Sequence, residues 1–338
     1  MRCVFIIPYY GTFPNYFDLF LRSCADNPNL DWLIFSEGNS SHQYPDNVQY
    51  VEMPWEDLKR RIGSCLNTEV VLNRPYKLCD YKPTYGLVFA DYISKYDYWG
   101  YCDIDLVFGD LSRFLTEDVL NAYDKIGHLG HMALIRNDET MNNLFRTEVE
   151  GAIPFLNVIK NDAPCMFDEW DGLSFNRLCE LGGHKLHRFN QFFDVYPNES
   201  CFKPVTRNFH KIDDSESDYA VGKHRLLAVR EGNHLYMISG KEKQEVAYIH
   251  LQKRQMALSK EPLSGKIIFY PNRIVNYTKS AYRSAQIKNW LLSVVNFKKL
   301  RHVCLCFTYK VAHSTSVIRH KIFLNKEAPL LKTRKEKR

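Results

Sequence analysis

Val4-Phe-Ile-Ile-Pro8 decides the fold, because a short apolar run with β-branched residues, stopped by proline, reads as a buried strand rather than a helix. Outward from it, Asn15 to Ala25 places apolar side chains at Phe17, Leu19, Phe20, Leu21 and Cys24, which fits a helix. Trp32-Leu-Ile-Phe35 is a second buried run, followed by the loop-forming Ser36-Glu-Gly-Asn-Ser-Ser41, and Val48 to Val51 is a third strand candidate. Strand, helix and strand within about 35 residues make a βαβ unit, so the N-terminal half is expected to be a parallel α/β sheet.

Further along, Lys82 to Tyr96 reads as helical from Thr84 onward, with Pro83 near its first turn. Tyr98-Trp-Gly-Tyr-Cys102 is the next strand and runs directly into Asp103-Ile-Asp105. Gly127 to Arg136 suggests one more strand, and Asp168 to Leu181 a helix stopped by Gly182-Gly183. Residues 184 to 250 look β-rich and end on the strand Val246 to Ile249. A linker around 259 to 280 then leads to a basic tail, so the expected division is residues 1–260 for the catalytic-type domain and 261–338 for a basic amphipathic extension.

The 338 residues are 45% apolar and 14% aromatic, ample for a sizeable core. Ten cysteines without a CxxC pair read as buried thiols of a reducing compartment. The apolar run Cys3–Ile7 is too short for a signal-peptide core, and no run of about 18 apolar residues follows, so a cytoplasmic chain is expected. The net charge of +6 hides an asymmetry: from Lys279 to Arg338 there are 15 Lys and Arg against Glu327 and Glu336, a net of +13, which leaves −7 on the remainder. Lys279 to Leu300, with Tyr282, Ile287, Trp290, Leu291, Val294 and Val295 among basic residues, reads as a basic amphipathic helix. Such a segment suits an anionic membrane, at about 1 kcal/mol per basic residue near the surface. A helix packed on the domain with its basic side in water is the alternative. The acidic body and the lack of any nucleic-acid motif argue against a nucleic-acid partner.

Chemistry is expected where Cys102 gives way to Asp103-Ile-Asp105, since ligands of open α/β sheets bind at the carboxyl ends of strands. Carboxylates two apart in a strand-to-loop bend can turn toward one hard cation, Mn²⁺ or Mg²⁺, which favours carboxylate and phosphate oxygens. Asp-x-Asp is also a common loop or cap signal. Tyr248-Ile-His250-Leu-Gln-Lys253-Arg254 is the second feature: a strand-end imidazole can complete a cation's coordination, and Lys253 and Arg254 suit a diphosphate. Lys82 precedes an expected helix start, where a phosphate could sit, or is a surface lysine. Asp168 and Glu169, followed by Trp170 and Gly172, are the candidates for taking a proton from an attacking hydroxyl, or else acids placed for a helix dipole. Asn137, His128 and His131 are further candidates for lining a sugar pocket.

Lys82-Pro-Thr-Tyr-Gly86 through Tyr96-Asp-Tyr-Trp-Gly-Tyr-Cys-Asp-Ile-Asp-Leu-Val-Phe-Gly-Asp110 resembles a family of bacterial capsule and lipopolysaccharide glycosyltransferases, long catalogued as a domain of unknown function. Ile6-Ile-Pro-Tyr-Tyr-Gly11 and His250-Leu-Gln-Lys-Arg254 belong to the same pattern, so the resemblance covers about residues 1 to 260. It implies an α/β, GT-A-like (Rossmann-like) nucleotide-sugar-binding sheet with a basic helical C-terminal extension. It also implies Asp103, Asp105 and His250 as ligands of Mn²⁺ (or Mg²⁺), with Asp103 also against the nucleotide-sugar. A UDP-sugar donor and a glycan acceptor, lipid-linked in such pathways, follow from the same likeness; the basic tail adds the expectation of a peripheral position on the inner membrane face. Pro8, Tyr9 and Tyr10 end the first strand, where such enzymes hold the uridine; a tyrosine there either stacks on the base or packs in the core. The family pattern leads one to expect an aspartate after the second strand, and this chain has Glu37.

Two other function classes compete. A nucleotidyl- or phosphotransferase also uses paired carboxylates with Mg²⁺, but no GxxxxGK[ST] or GxGxxG loop is present. A non-catalytic membrane-binding protein would be driven by the tail alone. Whether transfer retains or inverts the anomeric configuration stays open: the imidazole-assisted cation site leans to retention, an Asp168–Glu169 base to inversion.

Overall fold

The computed structural model describes residues 1–38, 42–169, 173–195, 201–204, 227–239 and 242–283. Its first strands, in chain order, are β1 (Cys3–Pro8), β2 (Leu30–Ser36), β3 (Val48–Glu52), β4 (Tyr98–Cys102), β5 (Leu106–Phe108), β6 (Lys125–Leu129), β7 (Met132–Arg136) and β8 (Leu186–His187). They are followed by β9 (Phe192–Asp194), β10 (Lys203–Pro204), β11 (Leu227–Glu231), β12 (His234–Ser239), β13 (Glu242–Glu245) and β14 (Tyr248–His250), and then by β15 (Ala257–Leu258), β16 (Ile267–Tyr270) and β17 (Arg273–Asn276). The main sheet runs β3-β2-β1-β4-β7-β6-β8, with the first four strands parallel and β7 antiparallel to β4. The fold is therefore mixed α/β, and the four N-terminal strands stand where the apolar runs put them.

Alternation along those strands explains their unbroken hydrophobicity. On β1, Val4 and Ile6 face one core while Cys3, Phe5 and Ile7 face the other; on β2, Leu33 and Phe35 oppose Trp32 and Ile34. A parallel sheet covered on both faces has no watery side on which to place polar residues. Helix α1 (Phe17–Ala25) covers one face through Phe17, Phe20, Leu21 and Cys24. Helix α2 (Trp55–Leu66) covers the other through Leu58, Ile62 and Leu66, one stripe at four-residue spacing, and ends on Asn67 in the left-handed region.

Four expectations are corrected. The helix expected from Thr84 onward is present but split into two short helices, Tyr85–Val88 and Ala90–Ile93, preceded by a 3₁₀ segment, Pro75–Thr84. They break at Phe89 (φ −115°), whose fully buried ring packs 4.4 Å from that of Phe35. Gly127 to Arg136 is a hairpin of β6 and β7, because Gly127 (φ +92°) sits in a β-bulge and Gly130-His131 turns the chain. The helix expected from Asp168 begins only at Phe175, where the Ser174 hydroxyl accepts the Asn176 N–H at 3.3 Å. Asp168 and Glu169 therefore precede the helix and do not serve its dipole. Finally, the stretch expected to be a linker, 259–280, contains the hairpin β16–β17, whose Ile267, Phe269 and Ile274 are buried.

That hairpin belongs to a third sheet, β13-β12-β11-β16-β17-β15, which packs on a second sheet, β10-β9-β14-β5. The second sheet positions the site. The chain leaves the main sheet at Cys102, passes through Asp103-Ile-Asp105, and enters the second sheet at Leu106. Helical residues 279–283 begin the expected amphipathic segment, whose remainder lies outside the described residues.

Candidate functional site

β1 and β4 lie side by side, with β2 continuing one way and β7 the other, so their carboxyl ends open on the crevice where the strand order changes direction. Asp103 follows β4 immediately, and its N–H donates to the His131 carbonyl at 2.9 Å. Asp105 precedes β5. Antiparallel pairing of β5 with β14 sets His250 opposite Leu106, one residue from Asp105, across a sequence gap of some 145 residues. Ligand atoms of Asp103, Asp105 and His250 consequently lie within 4.8 Å of one another.

The donor set suits a hard divalent cation, two carboxylates and an imidazole nitrogen. One oxygen of Asp105, Oδ2, accepts the Lys253 backbone N–H at 2.6 Å and lies 3.3 Å from His250 Nε2. Its other oxygen, Oδ1, is buried without a hydrogen-bond partner among the described residues. Such an orphaned buried acceptor costs free energy unless something positive meets it, so the cluster fits a cation.

A carboxylate that sequence reasoning missed orients the imidazole. β14 pairs on its other edge with β9, which sets Asp194 beside His250, its Oδ1 2.7 Å from Nδ1. Gln252 donates to Asp194 Oδ2 at 2.8 Å. A carboxylate behind a ligating histidine fixes the ring and its tautomer, leaving Nε2 to face Asp105. Phe192-Phe-Asp194 carries no motif; only the strand pairing reveals it. Burial would lower the His250 pKa, but Asp194 and Asp105 outweigh it and raise it well above the usual value. His131, its ring tilted against that of His250 with centroids 4.5 Å apart, is instead pushed down to about 4 by burial and by His250, and stays neutral.

The backbone turn after β14 is strained: Gln252 and Lys253 both have left-handed φ, +55° and +54°. It turns the Lys253 amide onto Asp105 while the ammonium lies over the Tyr76 ring at 5.4 Å. Arg254 points away, its Nη1 donating to the Pro271 carbonyl at 2.9 Å. The cations expected to act together are thus separated.

Lys82 enters from the 3₁₀ segment. Its ammonium donates to Asp103 Oδ1 at 3.1 Å and to the Gly130 carbonyl at 2.7 Å, and it lies 3.5 Å from Asp168 Oδ2. Burial would raise the Asp103 carboxyl, yet Lys82, Lys253 and His250 prevail and hold it well below the usual carboxylate range. Burial raises Asp168 well above that range, and it raises Glu169 as well. Glu169 Oε2 accepts the Gly130 N–H at 2.8 Å, so one glycine joins Lys82 to Glu169; a Cβ there would meet Asp168 Oδ2 at 2.3 Å. Trp170 and Gly172 lie outside the described residues.

The residues after β1 divide. Pro8 completes the pairing with Phe35, and Tyr9 is half-buried on Phe13, close enough to Lys253, Asp105 and Asp103 for their charges to act on its hydroxyl. Tyr10 turns to the other face, its hydroxyl donating to the Met53 carbonyl at 3.0 Å and its ring set edge-on to Trp55. Glu37 accepts the Trp55 N–H at 2.8 Å, at the start of α2. Asn137 holds the Ile93 and Tyr96 carbonyls, and His128 is buried on β6.

Fold and site define an α/β protein with a buried acid-imidazole cluster at the carboxyl ends of its parallel strands. By sequence, the chain belongs to the family described as "family of unknown function (DUF6625)", which matches residues 5–278. No curated protein matches it significantly. Among solved structures it is similar to a complex of the galactosyltransferase LgtC with donor and acceptor sugar analogues, at 12% identity and a TM-score of 0.35, over 74% of this chain and 86% of that one. An active-site mutant of LgtC gives 12% identity and a TM-score of 0.33, over 58% and 76%. Scores this low define no shared fold, so the role of the cluster must come from its own geometry.

Asp194→Asn should weaken Mn²⁺ binding by about 10- to 100-fold, read by isothermal titration, because the carboxylate that orients His250 is lost. In the unmutated protein the affinity should tighten as pH rises, since a ligating imidazole must shed the proton that Asp194 and Asp105 hold on it. Equal affinity for the variant at every pH would remove Asp194 from the site.

Proposed function

We propose that this protein is a metal-dependent glycosyltransferase that moves a hexose from a UDP-sugar to a hydroxyl of a growing capsule, O-antigen or lipopolysaccharide glycan. Galactose is the first donor sugar to try. The observation that carries the proposal is the convergence of Asp103, Asp105 and His250 within 4.8 Å at the end of β4, with Asp105 Oδ1 unpartnered among the described residues. The GT-A-like pattern of residues 82–110 and 250–254 supports the same reading. Mn²⁺ or Mg²⁺ held there would act as a Lewis acid on the diphosphate and stabilise the departing UDP.

The chain's own residues divide the remaining work. Lys253, beside Asp105, is suited to a phosphate oxygen, whereas Arg254 is engaged at Pro271. Lys82 keeps Asp103 ionised and ties it to Gly130 and Asp168. Tyr9, half-buried at the end of β1, is the better of the two tyrosines for the uracil, since Tyr10 and Glu37 are occupied at α2. Glu169, less buried than Asp168, takes the proton of the acceptor hydroxyl. That oxygen bonds to the anomeric carbon as the bond from this carbon to the diphosphate oxygen breaks.

In thermal-shift experiments UDP with Mn²⁺ should stabilise the protein by several degrees more than either alone, and Asp103→Asn or Asp105→Asn should abolish the gain. A UDP effect indifferent to Mn²⁺ and to both variants would overturn the cation role. Glu169→Gln should lower turnover with sugar-nucleotide panels by about 10²-fold or more while leaving the UDP shift intact. The wild-type rate should fall with decreasing pH through a value above the ordinary glutamate range, because the base must be ionised and burial raises its pKa; near-normal turnover of the variant removes Glu169 from the reaction.

A lipid-linked acceptor and a peripheral position on the inner membrane face belong to the same proposal and rest on the basic charge of residues 279–338. Among the described residues no helix is long and apolar enough to cross a membrane. Truncation after residue 278 should release the protein from anionic liposomes in co-sedimentation; undiminished binding would contradict the membrane role.

A further inference from the structure

Lys77 and Asp80 are both fully buried and stand outside the Asp103–Asp105–His250 cluster, with a ligand atom of Asp80 within 4.8 Å of ones on Cys79 and Asp168. Lys77 Nζ lies 2.7 Å from Asp80 Oδ2 and donates to the Val158 and Ala163 carbonyls, each at 2.9 Å. The two oxygens of Asp80 accept separate backbone amides: Oδ2 that of Cys165 at 2.8 Å, Oδ1 that of Phe167 at 2.9 Å. Between those amides stands Met166, at φ +55°, a left-handed conformation that a side chain of this kind rarely adopts. The Met166 carbonyl in turn accepts the Glu169 N–H at 3.2 Å.

We propose that the Lys77–Asp80 pair is a positioning device for Asp168 and Glu169: one carboxylate grips the amides on both sides of Met166, holds that turn in its strained form, and so aims the two acids at Lys82 and Asp103. The proposal rests on the glycosyltransferase reading. Asp80 stands two residues before Lys82 on the same 3₁₀ segment, so one rigid element holds the turn at Cys165–Phe167 and meets it again at Asp168. From the far side, Asn176 donates to the Glu169 carbonyl at 3.2 Å and to the His128 carbonyl at 2.7 Å, and its own oxygen receives buried Lys125 at 2.8 Å. Apolar residues of equal volume often match or exceed a buried ion pair in stability. Apolar residues cannot accept two amides flanking a left-handed residue, and reacting groups misplaced by about 1 Å can lose 10²-fold in rate.

The test is a paired variant, Lys77→Met with Asp80→Asn, which removes both charges together so that no ion is left buried alone. We expect a folded protein whose UDP/Mn²⁺ thermal shift and donor KM stay within twofold of wild type. Its kcat should fall at least tenfold, and the acid limb of its pH–kcat profile should move. A kcat within twofold and an unmoved acid limb would overturn the proposal. Should the pair fail to fold, Asp80→Glu, which keeps the charge but lengthens the arm, is expected to show the same split between kcat and KM; wild-type values for both would overturn it equally. Amide hydrogen exchange of Asp80→Glu separates this proposal from the broader one even if no sugar nucleotide turns over. Faster exchange confined to residues 165–169 supports the grip, while unchanged or globally faster exchange counts against it.

Discussion

Three residue pairs hold the site together: Tyr248 with Phe108, Ile249 with Val107, and His250 with Leu106. The ladder continues past the strand, where the Leu251 N–H donates to the Asp105 carbonyl at 2.9 Å. Because side chains alternate along a strand, a slip of one residue would turn His250 away from Asp105. The register is fixed by burial: Tyr248 packs with Phe108, Phe189 and Phe192 on one face, and Ile249 with Val107 and Phe193 on the other. β9 is bound to the opposite edge of β14 and delivers Asp194, so three chain segments far apart in sequence meet at one imidazole.

The charge balance follows from this crowding. Asp103, Asp105, Asp194, Asp168 and Glu169 stand against Lys82, His250 and Lys253, in surroundings where charges interact more strongly than in water. The outcome is uneven. Asp103 and Asp194 are held ionised by their cationic neighbours, whereas burial drives Asp168 and Glu169 toward protonation. Groups close together with pKa values pushed apart suit division into ligands that stay charged and acids or bases that exchange protons.

Much of the sheet was legible because its strands are apolar on both faces, and the pattern at Val4–Ile7 and Trp32–Phe35 has no competing helical reading. Cys102-Asp103-Ile-Asp105 and His250 were legible as types of residue at strand ends. Their meeting was not, since it depends on a ladder between β5 and β14 that no local pattern encodes. Asp194 was invisible for the same reason. The Thr84–Tyr96 region is helical as its pattern suggested, but its break was not legible, since it falls at Phe89, whose ring packs in the core against Phe35. Asp168 and Glu169 looked like the start of a helix until Met166 and Ser174 showed where the chain reverses and where the helix begins. Lys77 and Asp80 carry no motif that sets them apart in the sequence, yet both are buried.

Anomalous diffraction at the manganese edge, from crystals grown with MnCl₂ and UDP, asks the central question most directly. A single strong peak at bonding distance from Asp103, Asp105 and His250 Nε2, with the UDP phosphates beside it, is the predicted result. A peak elsewhere, or UDP bound away from β1 and β4 with no peak at this cluster, would contradict the account.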